Sequence, residues 1–418
     1  MNNTVQPLVL DPAGRDHYGE ARALQARGPI TRVELPDGVI AWVASHPALI
    51  RQLVADPRMS KDPRKHWTLF RDGRIDPSWP LGTFVNTVSM FTTDGDDHRR
   101  QRSLVAPAFA PKRVKAMSPR IERVVTAALD DLVSHGHGPD ATDLREHFTY
   151  PVPLEVINTL LGVPDDMRAA LRDVVEGIFA TAATLEERQA GEQRLHHTLS
   201  ALVEHKRGAP ADDVISALID AHDDATNSRL DHDELVGTLL LLIGAGHETT
   251  TNLIGNAVVA LLTHPEQLTQ VRDGSVSWDA VIDETLRWHA PITHVPMYFP
   301  TTDIDLGDSV VLRKGDALML SVAAAGRDQD THGVDADRFD ITRQTREQHV
   351  AFGHGPHFCL GAVLARLEAR IALPALFTRF PNLTLAMPPQ DLRPQASLIA
   401  NGFQSLPVRL GAAVGPAT

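Results

Sequence analysis

The only cysteine of this 418-residue chain lies in a segment rich in glycine and histidine. The segment is Phe352-Gly-His-Gly-Pro-His-Phe-Cys-Leu-Gly361, and an apolar helical pattern follows it directly. Gly353 and Gly355 permit a tight turn with positive φ. A helix N-terminus would offer Cys359 unpaired N–H groups and the positive end of a dipole, which stabilise a thiolate. Gly361 lacks a Cβ where the helix would approach a flat cofactor, so the pattern indicates a thiolate available to a metal.

Other interpretations of Cys359 remain open on these residues alone. A buried structural thiol is the commonest fate of a free cysteine. A zinc or nucleophilic site could be built from Cys359, His354 and His357, although zinc would then lack a fourth ligand. A phosphate loop is excluded, because Phe358 stands where G-x-G-x-x-G needs its third glycine. A single cysteine also excludes disulfides within the chain and multi-cysteine metal sites.

A second group of polar residues interrupts an otherwise apolar helical segment. Gly244-Ala-Gly-His-Glu-Thr-Thr-Thr251 places two glycines, a carboxylate and three hydroxyls there. A glycine inside a helix costs about 1 kcal/mol relative to alanine, and a buried carboxylate without a partner costs more. Such a helix is expected either to be kinked and hydrated for a functional reason or to hold a satisfied cluster of polar side chains.

The cysteine segment resembles the haem-binding signature of bacterial cytochrome P450 enzymes, F-G-x-G-x-H-x-C-x-G, and matches every fixed position. The resemblance makes Cys359 the thiolate ligand of the iron in haem b, iron protoporphyrin IX. The pattern A-G-x-E-T-T is similar to the oxygen-binding groove of the same family. It implies that Ala245 and Gly246 leave room for O2, that Thr249 hydrogen-bonds it, and that Glu248 relays protons from solvent.

The resemblance also assigns residues to the haem propionates. His98 and Arg102 stand one helical turn apart and would bind propionates together with His357, because donors and cations suit carboxylates. Related enzymes often carry a further propionate-binding arginine where this chain has Tyr298. The residues assigned to the haem site are His98, Arg102, Ala245, Gly246, Phe352, His357, Cys359 and Gly361.

Glu284 and Arg287 stand at i, i+3 on one helical face, which by itself is an ordinary ion pair. They resemble the E-x-x-R element of the family. The segment 337–339 resembles the end of its P-x-R-F element, which makes Arg338 the third partner. By this resemblance the three residues brace the core beside the haem and take no part in catalysis.

The elements that must position these residues are mostly helical. Residues 30–35 and 39–43 flank a turn and predict a β-hairpin, and the pattern is helical from 47 to about 290. One helix should begin near Asp231, run to about Thr263 and be buried, because 239–243 is apolar on every side. We expect a β-rich stretch at 301–321, a last helix that Pro374 kinks or breaks, and short strands over 383–410.

The resemblance covers nearly the whole chain. It implies a mainly α-helical cytochrome P450 fold with small β-sheets and a long central helix over the haem. No Gly/Ser-rich linker or internal repeat divides the sequence, so a single domain over residues 1–418 is expected.

Composition limits the possible partners and location. A net charge of −13, from 40 basic and 53 acidic residues, argues against nucleic-acid binding. The start shows no signal peptide, and the longest apolar stretch, 235–245, is about half of a bilayer crossing. We therefore expect a cytoplasmic monomer without a membrane anchor. A basic cluster could dock an acidic protein or form a solvated helix face; it consists of Arg99, Arg100, Arg102, Lys112, Arg113 and Lys115.

The resemblance implies a monooxygenase, which inserts one atom of O2 into a C–H bond or alkene while the other leaves as water. Electrons would come from NAD(P)H through a ferredoxin reductase and a ferredoxin. The sequence is similar to actinomycete enzymes that hydroxylate macrolides and steroids, so we expect a sizeable hydrophobic substrate of secondary metabolism, a polyketide macrolactone or a steroid. The expected substrate contacts are Phe84, Val88, Leu241, Ala245, Thr293, Val295, Ile399 and Ala400.

Two other functions stay open at this point. They are a haem peroxygenase driven by H2O2 and a non-catalytic haem-binding or gas-sensing protein. The pair Glu248 and Thr249 distinguishes them from a monooxygenase, because neither alternative needs an acid and an alcohol to deliver protons.

Overall fold

The structure is a computed structural model that describes residues 6–135, 141–222, 229–307 and 309–414; the side chains of 174–176 are not among the described parts. The α-helices are His17–Ala26 (α1), Pro47–Ala55 (α2), Pro63–His66 (α3), Thr68–Arg71 (α4), Thr83–Asn86 (α5), Gly95–Val105 (α6), Pro111–Ala116 (α7), Ser118–His135 (α8), Pro151–Leu161 (α9), Arg168–Ile178 (α10), Leu185–Gly208 (α11), Val214–Asp220 (α12), His232–Thr263 (α13), Pro265–Arg272 (α14), Trp278–Trp288 (α15), Val322–Ala325 (α16), Gln329–His332 (α17) and Ala362–Arg379 (α18). The strands are Leu8–Val9 (β1), Ile30–Leu35 (β2), Val39–Ala44 (β3), Met59–Ser60 (β4), Thr142–Asp143 (β5), His294–Pro300 (β6), Ile304–Asp305 (β7), Val311–Leu312 (β8), Leu318–Ser321 (β9), Thr384–Leu385 (β10) and Pro407–Arg409 (β11).

The strands form small sheets beside a large helical part, which confirms the expected fold class. The main sheet has the order β1-β2-β3-β9-β6-β4, and β10-β11-β5 and β7-β8 form two others within the described residues. The predicted hairpin is β2 and β3, with Ile30 opposite Ala44 and Leu35 opposite Val39. The β-rich stretch at 301–321 holds β7, β8 and β9, but β6 was not predicted, because its two prolines obscure a strand pattern.

The long central helix, α13, has the bounds that the sequence predicts. Asp231 caps it, since its side chain accepts the N–H of Glu234 at 2.8 Å while Glu234 Oε2 accepts the N–H of Asp231 at 3.1 Å. Glu234 also accepts hydrogen bonds from Arg100 and, at 3.0 Å, from Gln101 of α6. One carboxylate therefore caps α13 and ties it to α6.

The main hydrophobic core lies where α13 packs against α9, α15 and α18, and where α8 packs against α9 and α18. Each of these helices buries an apolar stripe at 3.6-residue spacing, as in Ile121, Val125, Leu129 and Leu132 of α8. Of the two outcomes expected at Pro374, a kink or a break, the break does not occur, because α18 continues through Pro374 to Arg379. We attribute this to its buried neighbours, whose packing offsets the hydrogen bond that proline removes.

Within the described ranges, none of the helices combines the length and the apolar character that crossing a bilayer requires.

Candidate active site

A largely apolar cavity separates α13 from the segment that carries Cys359. On one side it is lined by Leu241, Ala245 and Thr249 of α13, and on the other by the cysteine segment and the first turns of α18. Strand β6 contributes Val295 and Tyr298. The two motifs that the sequence singled out, about a hundred residues apart, thus face each other across one space.

The backbone around Cys359 has the predicted turn. Gly353 and Gly355 adopt φ of 72° and 68°, which side chains with a Cβ rarely adopt. The N–H of Cys359 donates to the carbonyl oxygen of Phe352 at 2.8 Å, which closes the loop just before α18 begins. A Cβ on Gly361 would lie 4.0 Å from the Cys359 Sγ. A Cβ there would be in van der Waals contact with the sulfur, on which the cavity also borders.

The expectation that the helix N-terminus favours a thiolate is only partly correct. Burial raises the pKa of the Cys359 thiol above its usual value, although the backbone N–H groups of Gly361 and Ala362 and the charge of Arg102 act to lower it. The side chain is exposed to the cavity, but the surrounding protein still desolvates the sulfur. Direct ligation by a metal ion, which deprotonates a thiol outright, would overcome this cost.

The polar groups at the edge of the cavity suit a flat anionic cofactor. Arg102 and His357 line the cavity, and the His98 and His357 rings lie 4.2 Å apart between their centroids. His98 is buried and its Nε2 has no hydrogen-bond partner. Burial and then the Arg102 charge lower the pKa of His98 to about 4, and burial followed by the charge of Lys61 lowers the pKa of His357 to about 2. Two carboxylates of a porphyrin would supply the acceptors that this edge lacks.

The groove of α13 is formed by small residues. Ala245 is exposed to the cavity, and a Cβ on Gly246 would lie 3.1 Å from Ile157 Cδ1. Thr249 Oγ1 lines the cavity and donates to the carbonyl oxygen of Ala245 at 2.6 Å. The helix is continuous across these residues. The hydroxyl is therefore held in the groove, where it can exchange this partner for a bound molecule.

Glu248 does not line the cavity, unlike its neighbour Thr249. Its carboxylate, 6% exposed, accepts a hydrogen bond from Arg145 Nη2 at 3.1 Å and another from the side-chain amide of Gln395. His247, next to it, contacts the carbonyl oxygen of Tyr150 through Nε2 at 3.1 Å. The outer side of this helical segment is thus a buried polar cluster, in which the carboxylate of Glu248 is hydrogen-bonded but Nδ1 of His247 has no hydrogen-bond partner.

The brace beside the cavity is present, with one correction. Arg287 and Glu284 are both fully buried and joined by two hydrogen bonds of 2.6 and 2.7 Å. Arg287 also donates to the carbonyl oxygens of Gly326, Ala336 and Arg338.

The predicted third partner, Arg338, contributes only its carbonyl oxygen, and its side chain is exposed. The charged partner is Arg343, whose Nε lies 3.6 Å from Glu284 and whose Nη1 donates to Asp335 at 2.9 Å. The prediction of Arg338 was wrong because the local chain direction turns its carbonyl inward and its side chain outward.

The structure places most predicted substrate contacts in the cavity wall. The lining residues among them are Phe84, Leu241, Ala245, Val295 and Ile399, while Val88, Thr293 and Ala400 do not line it. Val88 instead packs its carbonyl against Gly237. Thr293 is buried and donates its N–H to Ile399 at 2.8 Å, and the N–H of Ala400 donates to Ser397 Oγ at 2.9 Å. Thr293 and Ala400 therefore support the cavity wall through hydrogen bonds but do not line the cavity.

Two charged residues of the cavity were not predicted from the sequence. Lys61 lines it, and burial holds the pKa of Lys61 well below its usual range. Glu368 of α18 also lines it, and burial raises the pKa of Glu368 well above its usual value. Glu368 had a signal in the sequence, because it stands between Leu364 and Ala372 in the buried stripe of α18. Lys61 had none, since its neighbours along the chain are polar.

The chain is similar in sequence and in structure to several known proteins. The chain is 42% identical to 2-hydroxy-5-methyl-1-naphthoate 7-hydroxylase of Streptomyces carzinostaticus over 97% of both proteins. It is 35% identical to 6-deoxyerythronolide B hydroxylase of Saccharopolyspora erythraea, over 97% of this chain and 99% of that protein. The testosterone-bound structure of CYP154C4 from Streptomyces sp. ATCC 11861 superposes with a TM-score of 0.93 at 43% identity, covering 98% of this chain and 100% of the other.

The fold and the cavity define a haem-dependent oxidative enzyme. The cytochrome P450 family model matches residues 183–274 and 278–404. The chain belongs to the cytochrome P450 family, and it is a monooxygenase that binds haem b.

Proposed function

We propose that this enzyme hydroxylates or epoxidises a sizeable hydrophobic molecule of secondary metabolism, a polyketide macrolactone or a steroid-like compound. The observation that carries the proposal is the apolar lining of the cavity that also contains Cys359. Its apolar residues include Phe84, Ile178, Phe179, Leu240, Leu241, Ile292, Val295 and Ile399. The names of the relatives include a macrolactone hydroxylase, and one related structure contains a steroid, which supports this substrate class.

In this proposal each motif has a defined role around the haem. Cys359 ligates the iron, and His98, Arg102 and His357 hold propionates by charge-assisted hydrogen bonds. The haem supplies oxidation by O2, because its thiolate ligand favours O–O cleavage. Ala245 and Gly246 would leave room for O2, and Phe352 and Gly361, which line the same cavity as Cys359, would contact the haem.

Proton delivery is assigned to two neighbours on α13. Thr249 donates a hydrogen bond inside the cavity, and Glu248 lies on the outer side of the helix beside Arg145, which is partly exposed to solvent. A carboxyl group on the outer side of the helix that passes protons to an alcohol inside the cavity forms a relay. A peroxygenase or a gas sensor has no need of this pair.

Electrons are proposed to come from a ferredoxin that docks on the side of Cys359. The expected basic cluster is divided: Arg99, Lys112, Arg113 and Lys115 are exposed, whereas Arg100 pairs with Glu234 and Arg102 lines the cavity. Phe358 and Val363, on either side of Cys359 in sequence, are each 45% exposed. Exposed apolar groups near exposed cations suit an acidic protein surface. In this proposal the 418 residues form one domain and act as a cytoplasmic monomer.

The experiment that tests the iron ligand is the spectrum of the reduced protein with carbon monoxide. A haem iron that is bound by a thiolate gives a strongly red-shifted Soret band when it also binds carbon monoxide. We expect Cys359→Ser to lose that band and to keep the circular dichroism of a helical protein. A variant that retains the shifted band would show that Cys359 is not the ligand.

The substrate class is tested by the spin-state change of the ferric haem on titration with ligands. We expect a 6-deoxyerythronolide-type macrolactone or a steroid to displace bound water and shift the spectrum. A panel in which neither class does so, while a hydroxynaphthoate does, would overturn the macrolactone and steroid proposal and leave the iron-ligand assignment untouched.

The electron source is tested with a Lys112→Glu and Arg113→Glu double variant. We expect slower reduction by ferredoxin and unchanged reduction by dithionite, with Arg194→Glu on exposed α11 as the control. Equal ferredoxin reduction rates in all three proteins would argue against this docking surface. Turnover with H2O2 as fast as with ferredoxin would favour a peroxygenase.

A further inference from the structure

The cavity contains a buried lysine that has no acidic partner. Lys61 is 3% exposed, and its Nζ donates to the carbonyl oxygen of Pro296 at 2.6 Å. Among the described residues, no carboxylate lies within ion-pair distance of this amine. The Nζ lies 3.8 Å from the ring centroid of Phe91 and 4.4 Å from that of Tyr298.

An unpaired ammonium in such a place is costly to the protein alone. Removing an ion from water costs several kcal/mol after relaxation, unless a partner charge compensates. Two aromatic faces and one carbonyl oxygen compensate only in part, since a cation–π contact contributes about 1–2 kcal/mol. The position of Lys61 therefore indicates that an anion from outside the chain completes the site.

The surroundings of Lys61 show which part of the cavity it serves. Pro296 lies in the irregularity of β6 between Val295 and Tyr298, where the pairing with β9 shifts register. The rings of Tyr298 and His357 form an edge-to-face pair, with 6.4 Å between their centroids. Lys61 thus lies beside Tyr298, in the same part of the cavity lining as His357.

We propose that Lys61 is the cation that pairs with one haem propionate in this enzyme. Tyr298 lines this part of the cavity but cannot supply a positive charge. Lys61, two residues before α3, places its amine over the ring of Tyr298. The side chains of Tyr298 and Phe91 position the ammonium, and the propionate supplies the missing charge.

Haem release measures this pairing directly. The Lys61→Met variant keeps the length of the side chain and removes the charge. Transfer of haem to excess apomyoglobin is expected to be about tenfold faster from Lys61→Met than from the parent, and close to the parent rate from Lys61→Arg. Lys65→Met is the matched control, because Lys65 is exposed and pairs with Asp97 at 2.9 Å. It is expected to release haem at the parent rate.

A second measurement separates pairing from a structural role. We expect the haem-free Lys61→Met protein to be at least as stable as the haem-free parent, because a buried unpaired cation has been removed. With the dimethyl ester of haem, whose propionates carry no charge, the parent and Lys61→Met should release the cofactor at equal rates, because the double-mutant cycle then lacks the interacting charge.

Three outcomes would overturn the proposal. They are parent-like release of haem from Lys61→Met, an equal effect of the substitution with haem and with its dimethyl ester, and a loss of stability in the haem-free variant as large as in the loaded one. If haem release is unchanged while binding of a carboxylated substrate weakens, the anion at Lys61 is the substrate.

Discussion

Arg145 donates a hydrogen bond of 3.1 Å to Glu248 and so joins the π-helical turn Arg145–Thr149 to the middle of α13. The contact spans 103 residues of sequence. It fixes the carboxyl group that the motif assigns to proton delivery on the outer side of the helix, next to a threonine that faces the cavity.

Replacing Arg145 with methionine should destabilise the protein, because it leaves the Glu248 carboxylate buried with only Gln395 as a hydrogen-bond donor. Breaking one side of such a pair costs about 3 kcal/mol. Urea unfolding measures the loss. Arg168→Met is the control, since its partner Glu155 is 37% exposed, and we expect less than about 1 kcal/mol there. Equal costs at the two sites would show that burial does not govern the Arg145 pair.

Thr249→Ala should uncouple consumption of NAD(P)H from product formation. The variant lacks the hydroxyl that donates a hydrogen bond to the carbonyl oxygen of Ala245. Without this proton donor in the cavity, O2 would be reduced to peroxide or water instead of being used to form product. We expect the ratio of product to NAD(P)H to fall severalfold while haem content stays the same. Thr263→Ala removes the same type of helix hydrogen bond, to Val259 at 2.8 Å, outside the cavity lining. Unchanged coupling in Thr249→Ala would refute the assignment of proton delivery.

Substitutions at the brace should show that Arg343, and not Arg338, supplies the charged side chain beside Glu284. Arg343→Met removes an ion pair to Asp335, a hydrogen bond to the carbonyl oxygen of His332 and a charge beside buried Glu284, and we expect a loss of about 3 kcal/mol. Arg338→Met keeps the carbonyl oxygen that Arg287 uses, so its effect should stay within about 0.5 kcal/mol. The free energy of unfolding in urea distinguishes them, and the reverse order would restore Arg338 as the partner.

Acid should destabilise the native state through buried histidines. Burial lowers the pKa of His247 from 6.5 to about 4. Between these pH values the unfolded chain binds a proton that the native protein does not, so stability is full above pH 6.5 and falls as the pH drops towards 4. His17, His98, His289, His294 and His332 act in the same direction.

His247→Gln should therefore make the unfolding free energy less dependent on pH in this window, by up to about 1.4 kcal/mol per pH unit. Urea unfolding at several pH values between neutral and mildly acidic conditions measures the slope. His196→Gln, on the exposed side of α11, should leave the slope unchanged. The same slope in parent and His247→Gln would mean that His247 takes up its proton in the folded state.

Local signals in the sequence predicted the elements well. The hairpin of β2 and β3 has its turn residues between the strands, and α13 has its capping box at Asp231 and Glu234, so both can be read from neighbouring residues. The cysteine segment and the groove of α13 were likewise found from contiguous motifs, and the structure brings them to one cavity.

Contacts between distant parts of the chain were not predictable in the same way. The partners of Glu248 come from Arg145 and Gln395, and Lys61 meets Pro296 across 235 positions. Arg338 was chosen by position in a motif, but the direction of its side chain depends on a loop geometry that the motif does not encode. Which residues line a cavity likewise depends on the direction of each side chain. For this reason Val88, Thr293 and Ala400, which were expected to contact the substrate, do not line the cavity.

The carboxylate of Glu234 connects α13 with α6, two helices that carry predicted site residues. It closes the first turn of α13 and receives Arg100 and Gln101 from α6, the helix that also carries His98 and Arg102. We expect haem binding to order α6 and, through Glu234, the beginning of α13, by the reciprocity of linked equilibria. Amide hydrogen exchange at the start of α13 should then slow when haem is loaded, although this turn lies outside the cavity.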